Sequence, residues 1–195
     1  MKTTYIASAL IAMALFASCK GDVKTTEKEV VQEVEEVVKE VKEVKVEKIK
    51  IALDAKSDSK ATGSVVFEES EGMVSMMAAI HGLSEGTHAI HIHEKADCSS
   101  ADGKSTGGHW NPTAQPHGEW GAETGYHKGD IGNFEADENG NGVVNFKTDE
   151  WCIGCGDEKK DIVGKAIIVH QGTDDFTSQP SGAAGARISC GGIIQ

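Results

Sequence analysis

Residues 89–93 of this 195-residue chain read Ala-Ile-His-Ile-His, an alternation that is typical of a β-strand. Successive side chains of a strand point to opposite faces, so His91 and His93 share one face while Ile90 and Ile92 share the other. The isoleucines suit a hydrophobic core. The two imidazoles therefore predict a polar site on the outer face of an otherwise apolar sheet.

Further strand-like segments lie on both sides of this one. Alternating or β-branched runs occur at 49–53, 65–67, 73–80, 143–146, 166–170 and 186–190, and no long helical period follows residue 50. Two Gly-rich polar segments, 94–130 and 171–186, have no such pattern. We therefore predict an all-β domain over residues 46–195, an antiparallel sandwich or barrel with two long functional loops.

Composition narrows the classes of function. The chain has 31 acidic residues against 19 Lys and Arg, a formal net charge of −12. Nucleic acid is not expected as a partner, because its phosphates require a basic surface. Five Cys and eight His are many for this length and favour metal or redox chemistry.

The remaining histidines suggest more than one metal ion. Segment 94–130 contributes His109, His117, His127 and Asp130, and His170 ends another apolar strand. Imidazole suits Zn, Cu, Fe and Ni, and a carboxylate adds an oxygen donor. Six His and one Asp are too many for one tetrahedral ion. Two ions, with a bridging ligand as one way to share the donors, account for them better, and His81 and His88 are interpreted as structural.

These motifs resemble the Cu/Zn superoxide dismutase family. The resemblance covers residues 46–195 and rests on the following segments: His91-Ile92-His93-Glu94, Gly108-His109-Trp110-Asn111-Pro112, His117-Gly118, His127-Lys128-Gly129-Asp130-Ile131-Gly132-Asn133, Val169-His170 with Asp174-Asp175, and Gly185-Ala186-Arg187-Ile188-Ser189-Cys190-Gly191. It implies a Greek-key, immunoglobulin-like β-sandwich or barrel. It also implies dismutation of superoxide to oxygen and hydrogen peroxide, and in this family dimers are common, so a homodimer is a further expectation.

The resemblance also implies a ligand set with Cu and Zn as cofactors. Copper would be held by His91, His93, His109 and His170. Zinc would be held by His109, His117, His127 and Asp130. His109 would then bridge the two ions and carry a catalytic proton. Copper can change oxidation state whereas zinc cannot, so copper would do the redox chemistry.

Three further elements are implied by the same resemblance. Arg187, the only arginine of the chain, corresponds to a catalytic cationic gate that attracts superoxide. Asp174 corresponds to a carboxylate that links a copper histidine to a zinc histidine. Cys98 and Cys190 correspond to an intrachain disulfide.

Two cysteines are left over in Trp151-Cys152-Ile153-Gly154-Cys155, which resembles the thioredoxin W-C-x-x-C motif. That chemistry needs a helix N-terminus to lower the thiol pKa. Here Gly-Asp-Glu-Lys-Lys follows, which predicts a loop. A small disulfide between Cys152 and Cys155 is therefore favoured, with a metal site or thiol chemistry as the alternatives.

The N-terminus predicts export. Lys2 precedes an apolar stretch at 5–17 that is short for a membrane span. Residues 16–19, Phe-Ala-Ser-Cys, resemble the lipobox of bacterial lipoproteins. Residues 1–18 are thus a predicted signal peptide and Cys19 a predicted lipidation site, which anchors the protein to a membrane of the cell envelope or periplasm. Plain signal cleavage is the alternative, and 19–45 is predicted to be a charged tether or a short helical stalk.

Overall fold

The computed structural model describes residues 46–194. The predicted signal peptide 1–18, the lipidation site Cys19 and the tether 19–45 lie outside the described residues. Eight strands form the domain, namely β1 (Glu47–Ala55), β2 (Thr62–Ser70), β3 (Met73–His81), β4 (Gly86–His93), β5 (Gly132–Ala136), β6 (Gly142–Thr148), β7 (Ala166–His170) and β8 (Arg187–Gly192). A single short 3₁₀ turn at Lys104–Thr106 is the helical element of this described part. The all-β prediction is confirmed.

The strands close into an antiparallel barrel in the order β1-β2-β3-β6-β5-β4-β7-β8. β4, β5 and β6 are neighbours in sequence and in space, and β7 returns to pair with β4. This arrangement is a Greek key, in which the fourth strand lies beside the first. Pairing of Asp54 with Cys190 joins β1 to β8, so the predicted sandwich or barrel is a closed barrel without a free sheet edge there.

Alternating burial along the strands builds the core. In β1, Ile49, Ile51 and Leu53 are buried, while the alternating residues Lys48, Lys50 and Ala52 are exposed. The same two-residue period recurs in β3. Side chains of one parity thus fill the barrel, and those of the other parity face outward.

β4 and β7 depart from this pattern, because both of their faces are covered. The last six residues of β4 and all five of β7 are buried. Ile90 and Ile92 belong to the barrel core, whereas the outward face of β4 lies beneath the long segment that follows it, residues 94–131. The histidines of β4 are therefore outside the barrel wall but shielded from solvent.

Gly129 explains how closely this segment approaches β4. The backbone N–H of Ile92 donates to the Gly129 carbonyl at 2.9 Å, and the N–H of Trp110 donates to the Ile92 carbonyl at 2.8 Å. A Cβ at Gly129 would collide with the Ile92 carbonyl oxygen. Both bonds are made by the same strand residue, so the two parts of the segment lie along one edge of β4, and glycine at position 129 permits this close approach.

Candidate metal centre

Seven buried side chains converge on the outer face of β4. They form two groups, one of His91, His93, His109 and His170 and one of His109, His117, His127 and Asp130. Within each group the candidate ligand atoms all lie within 4.8 Å of one another. All six histidines that the sequence analysis selected are thus brought together, and His109 belongs to both groups.

The first group is assembled by neighbouring strands and one loop. β4 supplies His91 and His93, and β7, which pairs with β4, supplies His170. His109 arrives from segment 94–131 through a bridge with His93. The ring centroids of His91 and His109 are 4.0 Å apart, and those of His91 and His170 are 4.9 Å apart.

Each imidazole of this first group has one partnered nitrogen and one unpartnered nitrogen. The partnered ones bond as follows: His91 Nε2 with Asp174 at 2.8 Å, His93 Nδ1 with the Gly107 carbonyl at 3.0 Å, His109 Nδ1 with Asp130 at 2.8 Å and His170 Nδ1 with the Gly185 carbonyl at 3.5 Å. The unpartnered ones are His91 Nδ1, His93 Nε2, His109 Nε2 and His170 Nε2. Buried polar atoms without a partner are rare in folded proteins. Four that converge in one place fit a metal ion, and an all-nitrogen donor set suits copper.

The second group surrounds the carboxylate of Asp130. Its Oδ1 lies 2.8 Å from His109 Nδ1 and 3.2 Å from His127 Nδ1, and its Oδ2 lies 3.0 Å from His117 Nδ1. The nitrogens of His117 and His127 are not oriented to hydrogen-bond with it. Three nitrogens and one oxygen that point to a common centre form a donor set suited to tetrahedral zinc.

Asp174 connects the two groups through the ring nitrogens that do not face the candidate metal positions. Its Oδ2 accepts a hydrogen bond from His91 Nε2 at 2.8 Å, and its Oδ1 accepts one from His117 Nε2 at 2.9 Å. Its side chain is fully buried. A carboxylate in this position fixes which nitrogen of each ring is left for a metal.

Arg187 lies beside the first group at the floor of an open cleft of about 570 Å³. His93, His109 and His170 also line this cleft. The Arg187 guanidinium donates to the Gly103 carbonyl at 3.0 Å and to Thr106 Oγ1 at 3.1 Å. Both of these acceptors are neutral groups, while Asp102, which also lines the cleft, offsets part of the positive charge.

Comparisons with known proteins decide the family. Residues 61–193 match the family model described as copper/zinc superoxide dismutase (SODC). The chain belongs to this family. A superoxide dismutase [Cu-Zn] of Caulobacter vibrioides is 35% identical over 70% of this chain and 80% of its own length.

Other dismutase relatives are longer than the matched region. The extracellular superoxide dismutase [Cu-Zn] of Caenorhabditis elegans is 31% identical over 71% of this chain, and superoxide dismutase [Cu-Zn] 2 of Aquifex aeolicus is 40% identical over 54%. The match spans 63% and 62% of those two proteins. A crystal structure of a double mutant of a SOD-like protein from Bacillus subtilis aligns with a TM-score of 0.67 at 31% identity, covering 75% of this chain and 97% of that one.

Among the described residues, no helix is long and apolar enough to cross a membrane.

Burial favours the neutral form of three imidazoles of this dismutase-family site, His93, His109 and His170. Burial and the neighbouring histidines lower the pKa of His93 and of His170 well below the usual value. Burial also lowers the pKa of His109 to about 4, despite its hydrogen bond with Asp130. Neutral rings are the form that binds metal.

His117 behaves differently because it contacts two carboxylates. Burial alone would lower its pKa, but Asp130 and Asp174 outweigh burial and raise the pKa to about 9. Burial opposes ionisation of both acids, yet hydrogen bonds and close contacts with the histidines hold the pKa of each carboxyl below its usual range. In the metal-free protein His117 thus takes the positive charge that balances this pair of carboxylates.

Both cysteine pairs form disulfides in the dismutase fold. Cys98–Cys190 joins segment 94–131 to β8, three residues after Arg187. Cys152–Cys155 closes a small turn in the loop 149–165, and no helix follows Cys155 in the described chain. The second pair therefore lacks the structural context of a thioredoxin motif, and the loop prediction at this point is confirmed.

Sequence analysis missed several residues that support the site. Asn133 holds Asp174 with two hydrogen bonds, one to its carbonyl at 2.9 Å and one from its N–H at 2.8 Å. Gly182 has φ +65°, and a Cβ there would collide with the Asp174 carboxylate. Gln179 bonds both the N–H and the carbonyl of His117, each at 2.9 Å. His88, interpreted as structural, is buried and bonds the His170 carbonyl at 2.9 Å.

Proposed function

We propose that this protein dismutates superoxide, converting two superoxide anions and two protons into molecular oxygen and hydrogen peroxide, and that it does so in the cell envelope. One observation carries the proposal. The four unpartnered imidazole nitrogens of the first group, here called the copper-type group, converge beside the second group, here called the zinc-type group, and the two groups share His109. Family membership supports the same activity.

His91 Nδ1, His93 Nε2 and His170 Nε2 would hold copper, with His109 Nε2 as the fourth nitrogen. Copper, when bound, supplies the one-electron redox couple that accepts an electron from one superoxide and returns it to the next. The four rings are buried on paired strands or on a segment hydrogen-bonded to them, so they can keep one geometry throughout turnover.

His109 would be the bridging ligand and the proton carrier. Its Nδ1 belongs to the zinc-type group through Asp130, while its Nε2 faces the copper-type group and the cleft. Because the ring is fixed at Nδ1, its Nε2 can take up and release a proton without moving away from the site. The proton released there would pass to the reduced product, which leaves as hydrogen peroxide.

Arg187 would attract and orient superoxide. The protein as a whole carries −12, which repels anions at long range. A partly buried cation in a cleft creates a local positive field that can exceed the screened field of the distant negative charges. The two hydrogen bonds to Gly103 and Thr106 hold the guanidinium next to His93 and His170.

Export and lipid anchoring complete the proposal. The lipobox-like residues 16–19 support anchoring through Cys19, and relatives from Caenorhabditis elegans and Drosophila melanogaster are named extracellular enzymes. A homodimer stays a prediction.

Metal analysis with a dismutation assay tests the function. Purified protein is expected to hold about one copper and one zinc per chain, to lose activity on chelation and to regain it when both metals are restored. Stoichiometric binding of both metals without dismutation would instead indicate a metal-binding or delivery protein. Dismutation at the parental rate by Cys152→Ser/Cys155→Ser, assayed with both metals bound, would set aside a thiol oxidoreductase.

A further inference from the structure

The loop between β6 and β7, residues 149–165, contacts the part of the chain that carries His127. We propose that Glu150 and Trp151 are positioning residues for His127, and that the Cys152–Cys155 disulfide keeps them in place. This inference rests on the proposed function, in which His127 is a zinc ligand. The contacts of Glu150 and Trp151 would then determine how tightly the protein retains zinc.

His127 depends on its chain neighbours for orientation. His117 is secured through its second nitrogen by Asp174. Within the described residues, His127 Nε2 has no such partner, although metal-binding histidines usually have one. Its Nδ1 also lies 3.2 Å from Asp130, the longest of the three imidazole distances in the zinc-type group. The position of this ring must therefore come from the backbone on either side of it.

Trp151 fixes the residue that follows His127. The indole Nε1–H donates to the carbonyl oxygen of Lys128 at 2.8 Å. The Trp151 side chain is 1% exposed, and its ring packs against Phe146 at 4.9 Å and Trp120 at 5.7 Å between centroids. An indole packed in this way cannot swing aside, so the hydrogen bond holds the Lys128 backbone still.

Glu150 contacts both neighbours of His127. One carboxylate oxygen accepts a hydrogen bond from the Tyr126 hydroxyl at 2.7 Å, and the other pairs with the Lys128 ammonium. The Glu150 N–H donates to Thr148 Oγ1 at 3.0 Å, which ties it to the end of β6. A single side chain thus connects Tyr126 and Lys128 to the barrel wall.

The disulfide begins one residue after Trp151 and closes a well-bonded turn. Cys152 donates to the Lys160 carbonyl at 2.8 Å and accepts from Ile162 at 3.1 Å. The Ile153 N–H donates to a Glu69 carboxylate oxygen at 2.7 Å, which attaches the turn to β2. Opening Cys152–Cys155 would loosen the attachment of Trp151 without touching any candidate metal ligand.

The contacts of Glu150 and Trp151 with Tyr126 and Lys128 form a clamp on either side of His127. Zinc release from the full-length protein loaded with both metals tests this clamp. Trp151→Phe removes the indole N–H but keeps an aromatic ring, and Trp120→Phe is the matched control in the same aromatic cluster. Zinc transfer to a chromogenic chelator is expected to be about tenfold faster in Trp151→Phe, the lower end for loss of a ligand-orienting contact. Trp120→Phe alters the packing around Trp151 and Tyr126 but leaves the hydrogen bond from Trp151 to Lys128 in place, so it should release zinc more slowly than Trp151→Phe. Copper release should be unchanged in both variants.

Two further variants separate positioning from general loosening. Glu150→Ala should accelerate zinc release, while Glu150→Gln, which keeps an acceptor for Tyr126, should restore part of the parental rate. Cys152→Ser/Cys155→Ser should change zinc release in the same direction. Equal zinc rates in Trp151→Phe and Trp120→Phe, or an equal acceleration of copper and zinc, would overturn the clamp. A parent protein that retains no zinc would overturn the proposed function and the clamp with it.

Discussion

Asp174 Oδ2 lies 2.8 Å from His91 Nε2, and this hydrogen bond links the copper-type group to the zinc-type group, because the other oxygen of Asp174 binds His117. Both side chains of the link are fully buried. If this hydrogen bond is lost, bulk water therefore has no access to take the place of either partner. A substitution of Asp174 should therefore alter the orientation of a histidine in each of the two groups.

Asp174→Asn is expected to weaken both metals. His91 and His117 bond different oxygens of Asp174, and an amide replaces one of these oxygens by an NH2 group, so Asn can accept from only one of the two rings in this geometry. Loss of such a partner typically lowers metal affinity about 10- to 100-fold. Competition with calibrated chelators measures the affinities, and Asp175→Asn, an exposed neighbour that bonds Thr177 and Ser178, is the control. Unchanged affinity for either metal would contradict the link.

His109→Ala should disturb both metals, since one ring faces both groups. We expect the variant to lose zinc and to show a copper(II) electron paramagnetic resonance spectrum that differs from the parental one. His81→Ala, at an exposed histidine of β3, is the control and should leave the spectrum unchanged. A parental copper spectrum in His109→Ala would rule out the shared ring.

Arg187→Glu should slow dismutation without releasing metal. Reversing a charge at the cleft removes attraction for the anionic substrate, and steering of this kind changes association rates by about tenfold or more at low salt. Lys147→Glu changes net charge equally at an exposed residue of β6 that does not line the cleft. The ratio of the two rates against ionic strength is the measurement. Equal dismutation rates in Arg187→Glu and Lys147→Glu would show that the rate depends on net charge and not on a cation at position 187.

The alternation at Ile90 to His93 was sufficient to predict a strand with a core face and a ligand face. Periodicity is a local property, so it can be read from sequence. Asn133 and Gly182 escaped prediction for the opposite reason. Asn133 lies in β5, 41 positions before Asp174, and Gly182 lies 8 positions after Asp174 in the loop 171–186. Nothing in the local sequence of either residue indicates a contact with this carboxylate.

The loop 149–165 shows the same limit. The Trp-Cys-x-x-Cys string predicted a disulfide loop, but not that Trp151 and Glu150 reach Tyr126 and Lys128. Those contacts depend on how β6 leaves the barrel, which is a property of the closed sheet. Residue types on one strand were therefore predictable, whereas contacts between loops required the fold.

The metal-free protein should lose stability between pH 6.5 and pH 4. The pKa of His109 is lowered to about 4, and those of His93 and His170 are also lowered. In this window the unfolded chain binds protons that the folded chain does not, so acid favours unfolding. One pKa unit is about 1.4 kcal/mol, so His109 alone would account for about 3 kcal/mol. Thermal unfolding of chelated protein at pH 7 and pH 4.5 measures this, and a Tm that is level or higher at pH 4.5 would contradict it.

Cys98→Ser/Cys190→Ser should destabilise the fold and slow catalysis together. The bridge closes a separation of 92 residues, for which the chain-entropy model gives about 4–5 kcal/mol, against about 2 kcal/mol for the separation of 3 in Cys152–Cys155. It also attaches the segment carrying Gly103 and Thr106 to β8, so Arg187 should lose its fixed position when the bridge is removed.

Denaturant unfolding of metal-free protein gives the stabilities, with Cys152→Ser/Cys155→Ser as the comparison. If both double variants lose the same stability, the long bridge has no special role in the fold. If the Cys98→Ser/Cys190→Ser variant keeps the parental salt dependence of dismutation, the bridge does not position Arg187.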